Sequence, residues 1–216
     1  MKKIKIETIF ILITFPIAII FILLYLRDIK NLQSQKDKVM VMADSVRYLS
    51  DANRYYSDLV KFGNKSSEYS LENKDMKVYD ISQDTTKSIP VAFNTIIKQN
   101  RYSLILRYTE IGCNECSDLT IKKLNKLHQL RPDLPIYALV DFTNYDSYLQ
   151  WRKIGVIDFP VFFLKKGGIV FDNDCKEFSY LFMVDNRCVA SSFFIPNSGM
   201  PFVLDDYFES IHKKKS

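Results

Sequence analysis

Four stretches with different spacing of apolar positions follow one another along the chain. Residues 8 to 26, "TIFILITFPIAIIFILLYL", carry no charge, and at about 1.5 Å per residue such a run nearly spans a hydrocarbon core of about 30 Å. It predicts a membrane helix. Pro16 is compatible with one, because local adjustment in a bilayer satisfies the freed carbonyl. Lys2, Lys3 and Lys5 precede the run, which favours a cytoplasmic N-terminus with the rest of the chain outside. The segment "LLYLRDIK" offers no small-x-small cleavage pattern, so an uncleaved single-pass anchor in the cytoplasmic membrane is expected rather than a removed signal.

From Asp28 to Phe62 there is neither proline nor glycine. Leu32, Val39, Val46, Asn53 and Val60 recur every seven residues, and Gln35, Met42, Leu49 and Tyr56 follow three positions later. This predicts a long amphipathic helix that stops at Gly63-Asn64. Its apolar stripe has two candidate partners. A second copy would form a short parallel coiled coil through residues 32–60, with Asn53 setting the register of a homodimer. The chain's own domain is the other partner, and the uneven seam made by Gln35, Asn53 and Tyr56 favours it. A polar connection follows, with one hairpin expected around Glu72-Asn73-Lys74-Asp75.

After Pro90 short apolar runs alternate with helical periods. "YSLILRY" (102–108) and "PIYALVDF" (135–142) have strand length and composition; "SDLTIKKLNKLHQL" (117–130) and "YDSYLQWRKIG" (145–155) have the helical period. Strands joined by helices imply parallel pairing with right-handed crossovers. "FSYLFMVD" and "RCVASSFFI" read as an antiparallel hairpin, and "FVLDDYFESIHKK" as a closing helix with Leu204, Tyr207, Phe208 and Ile211 inward. The division is therefore an anchor over 1–27, a helical stalk and polar linker over 28–87, and an α/β domain over 88–216 with the order β-α-β-α-β-β-α.

Composition and charge narrow the function. The chain is 47% hydrophobic with a net charge of +5, part of it from the tail Lys213-Lys214-Lys215. No basic stripe interleaved with aromatics occurs, so nucleic acid is not an expected partner. Walker, Gly-x-Ser-x-Gly and His-Glu-x-x-His patterns are missing. His128 and His212 are the only histidines, and thirteen residues between Cys175 and Cys188 is not a zinc clip. No metal or cofactor is expected. Asp141 reads as a turn or helix-cap residue. Cys188 reads as a small buried thiol in the hairpin, with a disulfide to Cys175 as the alternative. In a chain exported from the cytoplasm four cysteines are compatible with disulfides.

The remaining pair, Cys113 and Cys116 in "LILRYTEIGCNEC", follows a buried strand and opens a helix. With the order of elements around it, that motif resembles the thioredoxin-like superfamily over residues 88–214, and the preceding anchor resembles membrane-tethered extracytoplasmic thioredoxin-like proteins of bacteria, including the cytochrome-maturation type. The resemblance implies a mixed central sheet flanked by helices, here preceded by the membrane helix and the amphipathic helix. It also implies thiol–disulfide exchange with exported proteins, in partnership with a membrane or extracytoplasmic redox protein. A helix N-terminus stabilises a thiolate, drawing a cysteine pKa from about 8.5 to between about 3.5 and 7.5. Cys113 is then the attacking thiolate, and Cys116, one helical turn on, resolves the mixed disulfide. Glu115 beside the thiols argues for a more reducing couple.

Departures from the family pattern are informative. Ile111-Gly112 stands where a tryptophan usually precedes the first cysteine, and Arg107 stands where thioredoxins carry a buried acid. Glu110 and Glu115 are the remaining candidates for proton transfer. Two positions compete for the proline of the substrate-facing loop: Pro160 in "IDFPVFFLKKGG", and Ser179 before "YLFMVD". Ser179 is preferred, because it leaves a strand pair and one final helix and treats 156–177 as an inserted segment. A rival reading keeps the fold but makes the chain a non-catalytic binding or assembly module with a structural 113–116 disulfide. A peroxidase is weaker, since no threonine-proximal nucleophile pattern precedes Cys113.

Overall fold

A computed structural model describes residues 6–66, 71, 76–81, 90–111, 114–173, 175 and 178–213, with side chains described from residue 15 onward except at 65, 66 and 114. The expected hairpin around 72–75 lies outside the described residues, as do Lys2, Lys3 and Lys5. The chain divides into two compact units, Met1–Tyr56 and Ser57–Ser216.

A single helix, α1 (Ile6–Ser66), runs through both the expected anchor and the expected stalk. Nothing at Arg27-Asp28 interrupts the backbone ladder, and Pro16 lies inside the helix. Among the described residues no helix is long and apolar enough to cross a membrane. Within the first unit Leu32, Val39, Met42, Val46 and Leu49 are all exposed. The helix also runs past its expected stop at Gly63. A glycine near a helix end costs about 1 kcal/mol, and buried Phe62 offsets it by packing edge-on against Phe171, Tyr180 and Phe193.

The second unit is built on a seven-stranded sheet in the order β2-β1-β5-β4-β3-β6-β7. The strands are β1 (Lys77–Asp80), β2 (Pro90–Ala92), β3 (Tyr102–Tyr108), β4 (Ile136–Val140), β5 (Val161–Phe163), β6 (Tyr180–Asp185) and β7 (Ala190–Phe194). The helices after α1 are α2 (Phe93–Ile97), α3 (Asn114–Leu130), α4 (Tyr145–Gly155) and α5 (Pro201–Lys213). β3, β4 and β5 pair in parallel and β6 runs antiparallel to β3. The sheet has more strands than the sequence expectation. β1 makes part of the polar linker a sheet strand, β2 and α2 precede the first expected strand, and β5 places the presumed insertion over 156–177 between β1 and β4 in the same sheet.

Strand alternation divides the core into two layers. Leu104, Leu106 and Tyr108 face α3, α4 and α5, meeting Ile121, Leu124, Trp151, Leu204 and Phe208. Ile105 faces the other way, with Phe62, Phe93, Phe171, Tyr180 and Phe182. Each large apolar side chain fully removed from water contributes about 1.5–3 kcal/mol, so β3, buried on both faces from Ser103 to Tyr108, is the most firmly held element. What it carries at its C-terminal end is correspondingly well fixed.

Candidate active site

The C-terminal ends of β3 and β4 and the N-terminal end of β6 meet at one edge of the sheet, because β6 is antiparallel to its neighbour: Arg107 of β3 pairs with Tyr180. The turn after β3 leads to the cysteines. Cys113 lies outside the described residues. α3 begins at Asn114, which puts Cys116 in its first turn. Cys116 is half-buried and disulfide-bonded. Its sulfur accepts a hydrogen bond from the Ser198 amide at 3.3 Å, and its carbonyl accepts one from the Thr120 hydroxyl at 2.7 Å.

Ser179, one residue before β6, lies at this edge. Its buried hydroxyl accepts from the Thr109 amide at 3.2 Å and lies 3.4 Å from the Ser117 hydroxyl. It thus ties the end of β3 to the residue after Cys116. Pro160 lies elsewhere. It immediately precedes β5, and the pairing of Val161 with Ala138 sets it level with the middle of β4, back from the end near Cys116; its carbonyl accepts from the Ala138 amide. Among the described residues there is no cis peptide bond.

Of the two proton-transfer candidates, Glu115 is exposed on α3. Glu110 is committed elsewhere: its carboxylate accepts from the Thr143 amide at 2.9 Å and the Thr143 hydroxyl at 2.8 Å. Those two hydrogen bonds, with one from Ser147, hold its carboxyl below the usual glutamate range. A carboxyl depressed in the folded state stabilises the fold above its unfolded pKa, and that contribution is lost as pH falls through the folded value. Glu110→Ala is therefore expected to destabilise the protein by about 1 kcal/mol at neutral pH and to flatten stability on the acid side, as read by urea denaturation between pH 3 and 7.

The most elaborate constellation at this edge was not anticipated. Arg107 is fully buried, yet all five of its N–H groups are bonded. Nε donates to Asp172 Oδ1 at 2.9 Å; Nη2 donates to Asp172 Oδ2 at 3.0 Å and to Asp141 Oδ2 at 3.2 Å; Nη1 donates to the carbonyls of Leu139 and Leu164, both at 3.3 Å. Asp172 is saturated in turn, since the Tyr180 hydroxyl and the Gly167 amide donate to it, each at 2.9 Å. Gly167 has φ 75, a left-handed conformation that glycine adopts without strain, and this directs its N–H at the carboxylate. Asp141 is therefore no helix cap. Asn144 caps α4, accepting from the amides of Asp146 and Ser147. The other Asp141 oxygen accepts from the Glu110 amide at 3.1 Å, linking the ion cluster to the turn that leads into the cysteines.

Burial pushes the Asp141 carboxyl above its ordinary value, against the pull of Arg107 and the Glu110 amide. Burial, with Asp118, Glu110 and Asp141 nearby, raises the Tyr108 hydroxyl to about 12. An arginine inside "LILRY" was the one sequence signal of a buried ion pair. Nothing local identified Asp172, sixty-five residues on.

Beside this edge Tyr79, Phe142, Tyr145, Tyr148 and Phe163 line a largely apolar cavity of about 350 Å³, with Thr143 in its wall. Cys175 and Cys188 are buried thiols, not joined to each other. Among the described residues no group of three or more metal-ligating side chains occurs.

No model of a known protein family and no curated protein matches the chain. Solved structures do. A Chlorobium tepidum protein provisionally assigned as the thiol:disulfide interchange protein DsbE is 11% identical, with a TM-score of 0.50 over 68% of this chain and 99% of that one. A secreted Mycobacterium tuberculosis disulfide oxidoreductase homologous to E. coli DsbE is 8% identical, with a TM-score of 0.47 over 63% and 96%. The peroxidoxin BcpB of the same organism is 9% identical, with a TM-score of 0.47 over 68% and 97%. At such identities the likeness concerns the fold.

Proposed function

On the thioredoxin-like fold that the chain shares with these proteins, we propose that it is a membrane-anchored thiol–disulfide oxidoreductase acting on exported proteins. The observation that carries the reading is Cys116: a disulfide-bonded cysteine in the first turn of the helix that follows the central buried strand. With Cys113 three residues before it, the pair stands where a helix N-terminus favours a thiolate.

Cys113 attacks a substrate disulfide as the thiolate. One sulfur of the substrate leaves as a thiolate and a mixed disulfide forms. Cys116, deprotonated, then attacks the Cys113 sulfur and releases the second substrate thiolate, leaving the 113–116 disulfide to be reduced by a membrane electron donor. The anchor reading rests on the charge-free run 8–26 behind Lys2, Lys3 and Lys5, and on the exposure of every side chain from Phe15 to Leu26 in α1. The exposed heptad positions of α1 support a homodimer through residues 32–60.

A redox titration against glutathione tests the function. A reversible two-electron couple supports it, whereas a disulfide that resists reduction below about −300 mV marks the pair as structural. The second outcome would favour the binding-module reading, to which Ser179 at the loop position and Arg107 at the acid position already lend support. Extraction of membranes with alkaline carbonate tests the anchor: release of the protein would remove it from the proposal.

A further inference from the structure

The connection between β7 and α5, Pro196 to Met200, crosses the sheet edge that holds the cysteines. Its conformation is well determined. The Asn197 side chain accepts from the Gly199 amide at 2.9 Å, the Asn197 carbonyl accepts from the Met200 amide at 3.1 Å, and Met200 is buried. Between these braces the Ser198 N–H is directed at Cys116 Sγ, eighty-two residues away in the chain. We infer that this amide is a positioning group for the exchange reaction, stabilising the Cys116 sulfur as the thiolate that resolves the mixed disulfide.

The inference rests on the oxidoreductase reading and adds a direction to it. A disulfide sulfur is a weak acceptor, whereas a thiolate carries a full charge, and hydrogen bonds to ionised acceptors are about twice as strong as neutral ones. A fixed donor therefore favours the reduced pair over the oxidised one. In resolution, the Cys116 thiol gives its proton to solvent and the resulting thiolate forms a bond to Cys113 Sγ. The bond from Cys113 to the substrate sulfur breaks, and that sulfur leaves with the electron pair. The amide raises the share of Cys116 ready to attack. It also makes the couple more oxidising than Glu115 alone suggests, because stabilising the reduced form raises the potential.

Proline at position 198 removes the N–H, together with the hydroxyl and some backbone freedom at 197 and 198, so the test compares Ser198→Pro with Ser198→Ala, which also lacks the hydroxyl but keeps the amide. A hydrogen bond to a charged group corresponds to about tenfold or more in an equilibrium constant. Ser198→Pro is expected to shift the equilibrium with glutathione about tenfold toward the disulfide, or about 30 mV, relative to Ser198→Ala. Resolution should slow by about threefold, since the more basic thiolate that remains is also a better nucleophile. Equal equilibria and rates in the two variants overturn the inference. Where the proline variant does not fold, the amide proton resonance of Ser198 in the unaltered protein decides: a downfield shift on reduction supports the donor role and an unchanged position overturns it. Absence of any reversible couple in the unaltered protein is a separate result, which sinks the oxidoreductase reading itself.

Discussion

Replacing Cys116 with serine is expected to reduce turnover of a disulfide substrate by a factor on the order of 10⁴ or more, the scale on which loss of an attacking group removes a covalent mechanism. The same variant should retain the first half of the reaction. Cys113 still attacks, one substrate sulfur still leaves, and the mixed disulfide then has no neighbouring thiol to release it. Denaturing electrophoresis without reductant would show a covalent adduct with substrate that dithiothreitol removes. Cys113→Ser should lose turnover equally and form no adduct. This asymmetry separates the oxidoreductase from a module whose cysteines only brace the fold, because in the latter both variants lose stability alike and neither traps a partner. Cys116 lies half-buried on α3 and touches the Ser198 loop, so thermal melting of both variants belongs with the assay.

Arg107→Met is expected to destabilise the protein by about 3–5 kcal/mol, the cost of removing one partner from a buried ion pair. That is a large part of the 5–15 kcal/mol by which domains are typically stable. The reason lies in the count of charges: Arg107 is shared between Asp141 and Asp172, both nearly buried, and its removal leaves two carboxylates without the cation that bonds both. The Asp141 carboxyl, already raised by burial, would then be raised further in the folded state. A raised carboxyl takes up a proton on folding, so stability lost at neutral pH returns as pH falls through the folded value. The deficit of Arg107→Met relative to the unaltered protein should therefore shrink from pH 7 toward pH 4 in urea denaturation. Adding Asp141→Asn and Asp172→Asn should recover most of the loss, since a neutral buried cluster requires no cation. If Arg107→Met costs less than about 1 kcal/mol, the cluster is not the structural centre that its bonding implies.

The ion cluster joins a cation of β3 to two acids, one just after β4 and one in the segment after β5. The cluster is anchored to the Glu110 amide, one residue into the turn that precedes the cysteines, so a change of charge in the cluster acts on the geometry of that turn.

Elements whose identity depends on neighbours in sequence were determined by the sequence alone. The central strands over 102–108 and 136–140, the helices starting near 114, 145 and 201, and the closing hairpin all follow from the spacing of apolar residues, because a period of two or 3.6 is a property of the local chain. The place of Cys116 in the first turn of α3 was legible for the same reason. Tertiary structure decided what depends on distant partners. β1 and β5 are too short to announce themselves, with four and three residues, and they become strands because the sheet offers them an edge. Where Ser179 and Pro160 lie was also decided in three dimensions, since the direction of β6 brings position 179 to the end of the sheet near Cys116 and the register of β5 sets 160 back from it. Arg107 reads as an oddity in an apolar strand until Asp141 and Asp172 arrive from other elements to satisfy it. Sequence spacing specifies which face a side chain takes; which groups meet on that face is settled by long-range pairing, whose cost in chain entropy is met by the buried core as a whole.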